Sequence, residues 1–398
     1  VSSLGAPVPP VSYETLRWER KPDAPDLAAV RRQSGPYRAA VTAPIADLAV
    51  TAASAVLADA DDASREITRF DAELGNEIVP FAALLLRSES AASSRIENLT
   101  ASARAIAEAE LPGEGGGTRN AAEIVANTRA MAAAITLADN IDADAILAMH
   151  DALMADHAPA IAGRWRTEQV WIGGGHYGPV GALFVPPRHE VVAAAIDDLI
   201  TFTKRYDIPA LIHIAIAHAQ FETIHPFPDG NGRTGRALVQ AMLRRKGLTR
   251  QVTVPVSAGL LVDTDRYFDA LTAFRAGDAA PIVERMSEAS VLAVQNGRQL
   301  VSELRAVRAG WDARISARRD SATWRIADLV MRRPVVNSAV LSAELGILIG
   351  NVPRYLEPLI DAGVVKEFTD RTRNRAWRAP EVLDSLDAFA ERAGRRGW

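Results

Sequence analysis

The 398-residue sequence contains no cysteine. Disulfides and thiolate metal sites are therefore excluded, and a reducing compartment is the natural fit. No charged-then-apolar leader and no apolar run of eighteen residues occurs. Export and a membrane span are thus not expected, and a cytoplasmic location is. Lysine is confined to Lys21, Lys204, Lys246 and Lys366, and the formal net charge is −4 with a pI of about 6.0. No overall basic balance advertises nucleic acid. Two common motifs are missing as well. The G-x-x-x-x-G-K-[ST] phosphate loop is absent. His189-Glu190 is followed by Val-Val-Ala, so no second histidine arrives and a zinc helix is rejected. His213 and His218 are five apart, off the spacing of a metal pair, and read as structural.

What the chain does have is one dense stretch, His225-Pro226-Phe227-Pro228-Asp229-Gly230-Asn231-Gly232-Arg233-Thr234-Gly235-Arg236. An apolar, Ala-rich run over 208–223 precedes it, and a helical pattern over 237–245 follows, closed by Arg244-Arg245-Lys246-Gly247. The stretch reads as a loop between two helices, its glycines opening the second. Glycines before a helix let backbone N–H groups turn toward an anion, which the helix dipole also favours. Arg233 and Arg236 are three apart and share one helix face beside that place. Asp229 is an oxygen donor suited to Mg²⁺, which takes one or two carboxylates plus substrate phosphates. His225 can accept a proton near neutral pH. A base, a metal ligand and a phosphate cradle are the parts needed to transfer a phosphate-bearing group. The plainer alternative is a Gly/Asn/Pro-rich turn with two solvated arginines.

The stretch matches H-P-F-x-[DE]-G-N-G-R-x-x-R without a departure, and so resembles the signature of the Fic (filamentation induced by cAMP) family. The resemblance implies an all-α fold, a helical bundle with a small β-hairpin flap, that moves AMP from ATP onto a Ser, Thr or Tyr hydroxyl of a target protein. It implies His225 as general base and Asp229 as the ligand of a Mg²⁺ that bridges phosphates. Gly230, Asn231 and Gly232 would cradle the phosphates, Arg233 and Arg236 would neutralise them, and Thr234 and Gly235 complete the nucleotide-binding run. Tyr267 stands where the family tends to place an aromatic against adenine; a core tyrosine is the alternative. Two readings compete with AMP transfer: a Fic enzyme using another donor or group, and a DNA-binding regulator whose core senses nucleotide. Gly232 and Arg236 distinguish the chain from the phosphate-transferring branch.

Upstream, a helical pattern over 77–99 ends in Ser93-Ser94-Arg95-Ile96-Glu97-Asn98. A glutamate at a helix end is commonly just solvated. Ser93-x-x-x-Glu97-Asn98 nevertheless resembles the [ST]-x-x-x-E-[GN] inhibitory motif that some Fic proteins carry N-terminal to the core. That resemblance implies that Glu97 pairs with Arg236, misaligning bound ATP, and that Glu97 can also support removal of AMP.

The rest of the chain divides into segments 1–110, 111–310 and 321–398. Residues 1 to about 43, with Pro7, Pro9, Pro10, Pro22, Pro25 and Pro36, read as an extended arm that packs on the body or serves as a Pro-rich ligand. Helical patterns cover 45–71, 120–138, 144–154 (after Asp142 as cap), 191–206, 209–224, 263–275 and 280–307. His150 reads as a packed core histidine. Residues 169–172 and 182–185 flank a Gly-rich connection and predict a hairpin; resemblance makes it the flap that clamps target by strand addition, with Ile172 as docking residue. After 321, helical patterns over 324–331, 338–345 and 351–362 precede strands over 364–368 and 374–377, a winged-helix-like order. If that module reads DNA, Asn351, Arg354 and Tyr355 enter the groove while Arg371, Arg373 and Arg375 hold phosphate. Glu357, Asp361, Glu367 and Asp370 dilute its charge and favour a packing or protein-interaction role. A homodimer is also compatible with the sequence.

Overall fold

The computed structural model describes residues 6–19, 33–74, 78–112, 118–369 and 375–394. These residues are mostly helical and divide into two compact units, each drawn from three stretches. The first comprises Val1–Ser64, Ala133–Lys246 and Thr264–Glu288; the second comprises Arg65–Ala132, Gly247–Asp263 and Ala289–Trp398.

The first unit is built around the helix Ala210–Ile224, every residue of which from Leu211 onward is buried. Its apolar residues occur all round the helix, the pattern of a helix without a solvent face. Each polar side chain on it therefore needs an internal partner. The Nε2 of His213 lies 2.7 Å from the carbonyl of Phe202, Gln220 donates to the carbonyl of Ala43 at 3.0 Å, and Thr223 donates to Ala219 at 2.7 Å. Helices Val192–Thr203, Asn231–Arg245 and Thr264–Arg275 pack against it, and Ala143–Met154 packs on Asn231–Arg245. Asp142 caps this last helix, accepting from the Ala145 N–H at 2.8 Å, as its sequence predicts. The helix expected from residue 45 starts only at Ser54. Asp198 is the reason: its carboxylate takes the N–H groups of Ile45 (2.7 Å) and Ala46 (3.1 Å), holding that stretch in a turn.

Two expectations about β structure change. The N-terminal stretch is more than an extended arm, because Ser12–Trp18 and Gly35–Val41 form an antiparallel pair in the register Ser12↔Val41 to Trp18↔Gly35. Alternating exposure along Ser12–Trp18 reflects its alternating side chains. The arm does pack on the body: Val8 N–H donates to Gly277 (3.0 Å), Val11 N–H to Arg275 (2.9 Å), and Ala279 N–H to Ala6 (2.8 Å). Pro22 and Pro25 lie outside the described residues. Conversely, the hairpin expected at 169–172 and 182–185 shrinks to a single antiparallel bridge, Ile172↔Phe184. Gly173 and Gly174 turn away at once with φ of +71° and +78°, and Pro186-Pro187 offer no N–H to continue the ladder.

In the second unit, helix Ile78–Ile96 carries the Ser93–Asn98 motif at its end. Glu89, 1 % exposed, accepts from the N–H (2.8 Å) and Oγ (2.6 Å) of Ser257 in the first turn of helix Val256–Leu261, where a carboxylate suits the helix dipole. Asn127 donates to the Ser90 carbonyl (2.9 Å) and the Ser94 hydroxyl (3.1 Å). The C-terminal elements run Ala322–Arg332 helix, Val335–Asn337 strand, Ser338–Leu345 helix, Val352–Asp361 helix, strands Lys366–Glu367 and Ala376–Arg378, and helix Pro380–Ala393. Ala376–Arg378 is the central strand, antiparallel to both neighbours. The strand Val335–Asn337 and the last helix were not expected from sequence. Arg371 and Arg373 lie outside the described residues. Arg375 forks onto Glu367 through two short bonds, 2.6 and 2.5 Å, which raises the arginine and lowers the carboxylate.

Candidate active site

The dense stretch straddles the junction of two helices. Helix Ala210–Ile224 ends at His225, whose N–H still donates to Phe221 at 2.9 Å, and helix Asn231–Arg245 begins six residues later. The second helix therefore starts within the motif, at its glycines as expected, and runs on into the helical pattern over 237–245. His225 takes φ +51° and ψ +62°, a left-handed conformation that a residue with a Cβ adopts only under constraint. Among the described residues, only His225 and Asn98 have positive φ without being glycine. Each belongs to one of the two motifs that stood out in the sequence.

Three neighbours supply the constraint on His225. The first is Phe227, fully buried, its ring stacked on His150 at 3.7 Å between centroids and on Trp165 at 5.0 Å. The second is Asn231, whose Oδ1 accepts from the Phe227 N–H while its Nδ2 donates to the Phe227 carbonyl, both at 2.8 Å. The Asn231 side chain thus clips the loop shut; the phosphate-cradle expectation for this residue is left to its backbone. The third is Arg166, 2 % exposed. Its Nε donates to the His225 carbonyl at 2.8 Å, Nη1 to Glu168 at 3.2 Å, and Nη2 to Pro187 and, at 3.4 Å, to Ile224. Burial lowers this guanidinium to about 10, so it stays charged at neutral pH.

His150 is a core histidine, as expected, and it also shapes the loop. Gly163 N–H donates to its Nδ1 (3.1 Å), which leaves Nε2 to donate to the Asp229 carbonyl (3.1 Å). Burial lowers its pKa to about 4, so the ring is neutral. Gly230, the residue before the second helix, has φ +75°, and a Cβ there would lie 3.0 Å from Leu153. No side chain caps that helix start, so its first-turn N–H groups face where an anion would sit. Asp229 projects outward, its side chain 68 % exposed, with Arg233 Nη2 4.0 Å away and 4 % exposed. Gly232 is half-buried, and Thr234, Gly235 and Arg236 are buried.

Tyr267 is buried to 1 %, its hydroxyl 2.7 Å from His218 Nε2 and its ring stacked on the same histidine. Its ring thus faces His218 in the core. Glu97 is exposed in the turn after Ile96. The turn is a Schellman closure: Leu99 N–H donates to Ser94 and Asn98 N–H to Arg95, both at 3.0 Å, with Asn98 left-handed at φ +62°. That conformation explains physically why the motif's last position accepts Gly or Asn. Ser93 is fully buried. Glu97 belongs to the second unit and Arg236 to the first.

Ile172 meets Phe184 by backbone bonds, Ile172 N–H to Phe184 (2.8 Å) and Leu183 N–H to Ile172 (2.9 Å). Leu183 itself is 86 % exposed. The N-terminal strand pair buttresses this segment: Trp18 Nε1 donates to Tyr177 (2.8 Å), Trp18 packs edge-on against Trp171, and Ala40 N–H donates to Val185 (2.9 Å). Arg166, Trp18 and the loop role of His150 were missed from sequence. Only the proximity of Arg164-Trp165-Arg166 to the expected flap offered a signal.

Comparison with known proteins bears on this arrangement directly. Residues 140–243 match the Fic/DOC family. That matched segment contains the junction, His150, Arg166 and the flap bridge. The protein adenylyltransferase fic-1 of Caenorhabditis elegans is 32 % identical over 157 residues, 39 % of this chain and 28 % of the relative. A probable protein adenylyltransferase of Aquifex aeolicus is 35 % identical over 108 residues, 27 % of this chain and 31 % of the relative. The chain therefore spans about a third or less of the length of these relatives. A crystal structure of a Fic family protein from Desulfovibrio desulfuricans G20 superposes with a TM-score of 0.52 at 23 % identity, covering 83 % of this chain and 97 % of that one, a likeness of fold.

Proposed function

We propose that this protein is an adenylyltransferase that moves AMP from ATP onto a Ser, Thr or Tyr hydroxyl of a target protein. The observation that carries the reading is His225, held left-handed at one helix end, immediately before an uncapped helix N-terminus flanked by Arg233 and Arg236. The hydroxyl oxygen bonds to the α-phosphorus as the α–β P–O bond breaks, pyrophosphate leaves, and the hydroxyl proton passes to His225. A base of this kind contributes about 10²–10⁴-fold, and fixed N–H groups and arginines supply the larger electrostatic share. The residues present fit Mg²⁺: one exposed carboxylate, Asp229, stands beside the phosphate position, as suits an ion held by one or two carboxylates plus substrate phosphates. Mg²⁺, when bound, would neutralise phosphate charge; Asp229 would hold it.

The finer readings follow. Glu97 restrains the enzyme by engaging Arg236, and the Schellman turn at Asn98 fixes where that glutamate starts. The flap bridge at Ile172 offers main-chain groups to an extended target segment. The C-terminal elements form a winged-helix-like module; with Arg375 forked onto Glu367, its ribbon is better suited to packing than to holding phosphate.

The test is mass spectrometry of wild-type and Glu97→Gly protein incubated with ATP, UTP and GTP. The expected outcome is an added AMP mass from ATP alone, and more of it in Glu97→Gly. Relief from about 1 % to about 99 % competent protein corresponds to about 5.5 kcal/mol. A different added mass would replace AMP with another group, and equal labelling of the two proteins with ATP bound in both would sink the restraint.

A further inference from the structure

Glu222 lies on the last turn of helix Ala210–Ile224, one turn before His225, and is 6 % exposed. Its Oε2 stands 4.0 Å from His225 Nδ1. That ring nitrogen is buried, as is Glu222 Oε1, whereas the His225 side chain as a whole keeps 19 % exposure. Nδ1 therefore cannot meet a target hydroxyl, and the proton must go to Nε2.

Two neighbouring helices shape the surroundings of Glu222. Arg275, from helix Thr264–Arg275, is half-buried with its guanidinium 3.7 Å above the Phe184 ring of the flap bridge. Burial lowers Arg275, and the charge of Glu222 is the first influence opposing that, ahead of Tyr13 and Tyr267. On the other side, Gly235 of helix Asn231–Arg245 leaves the carboxylate its space: a Cβ there would lie 2.7 Å from Glu222 Oε1 and 3.0 Å from the Phe221 ring. The same helix brings Arg236, whose charge, together with burial, lowers His218. A buried carboxylate with no role in the signature thus stands 4.0 Å from the imidazole of the base and acts electrostatically on an arginine at the flap.

We propose that Glu222 is the positioning residue of His225: its carboxylate accepts from Nδ1–H, fixes the tautomer that leaves Nε2 open, and stabilises the imidazolium formed when Nε2 takes the hydroxyl proton. Such contacts are commonly long before substrate arrives and tighten with it. The chemistry rests on the adenylyltransfer reading; the geometry does not.

The test is Glu222→Gln, isosteric and uncharged, read in two ways. Histidine ¹⁵N NMR, with His225 assigned by its absence in His225→Asn, gives its tautomer and pKa without requiring activity. Removing the negative charge should lower the His225 pKa by about one unit or more and erode the Nδ1–H tautomer. In the Glu97→Gly background, AMP transfer should fall about 10²-fold in kcat with KM for ATP unchanged, and the acid limb of the kcat/KM profile should move to lower pH. Should Glu222→Gln not fold, Gly235→Ala, which displaces Oε1, must shift the His225 titration in the same direction. Unchanged tautomer, pKa and profile would overturn the proposal. No transfer by Glu97→Gly protein would overturn the adenylyltransfer reading instead, and the titration would still decide Glu222.

Discussion

Asn231→Ala separates two roles that the sequence motif leaves merged. If the side chain mainly binds nucleotide, its loss should weaken ATP affinity and leave the fold alone. The structure predicts the reverse order of effects. Asn231 is 3 % exposed, and both of its polar atoms bond the backbone of Phe227 at 2.8 Å. Truncation leaves one N–H and one C=O unsatisfied beside a fully buried ring, at about 1–3 kcal/mol each, so about 2–4 kcal/mol after partial relaxation. Two kcal/mol corresponds to about a 30-fold change in a local opening equilibrium. The direct readout is hydrogen–deuterium exchange at the Phe227 amide, which should lose protection by at least that factor, with nucleotide affinity measured in parallel by calorimetry. Asn231→Asp is the control, because it keeps the acceptor for the Phe227 N–H and sets a carboxylate against the Phe227 carbonyl. If Asn231→Ala keeps wild-type protection at Phe227 and loses ATP binding, the clip is wrong and the side chain is a ligand.

Other expectations follow from the same structure. His213 is buried, with a pKa lowered to about 4 by desolvation. Its folded pKa lies below its unfolded one, so the unfolded state takes up the proton first, and stability is lost as pH falls from about 6.5 toward 4. At pH 5 the loss relative to pH 7 is on the order of 2 kcal/mol for one such group, and urea unfolding at the two pH values should show a smaller difference in His213→Asn. A pH-independent gap between the two proteins would count against this. Asn98→Gly should leave melting unchanged or raise it slightly, since glycine accepts the left-handed turn freely, whereas Asn98→Ala should cost about 1 kcal/mol. Equal melting of the two variants would contradict the Schellman assignment.

Legibility followed sequence distance and backbone visibility. The junction was readable because its residues are contiguous and because glycine, proline and asparagine announce unusual backbone. The glycines place the opening of helix Asn231–Arg245 within the motif, although Asn231, Gly232 and Gly235 are poor helix formers by propensity. Packing on helices Ala210–Ile224 and Ala143–Met154 overrides that preference. The strand pair Ser12–Trp18 with Gly35–Val41 is not legible in sequence, because its partners are far apart and the surrounding prolines suggest an extended arm. Glycines at 173 and 174 suggest a hairpin connection in the sequence, yet their positive φ turns the chain before a ladder can form.

The supports of the site share a different property. Arg166, His150 and Glu222 are polar residues of ordinary appearance in sequence, and each acts on backbone or on a buried ring nitrogen rather than on solvent. Their roles depend on burial, which a polar residue does not advertise. Gly235 gives the pairing a testable consequence. Within the motif its position is unspecified, yet here a Cβ would strike Glu222 Oε1 at 2.7 Å. The small residue at 235 and the carboxylate at 222 therefore form one device on neighbouring helices. A chain that filled position 235 would have to give up or redirect the carboxylate, and with it the hold on His225.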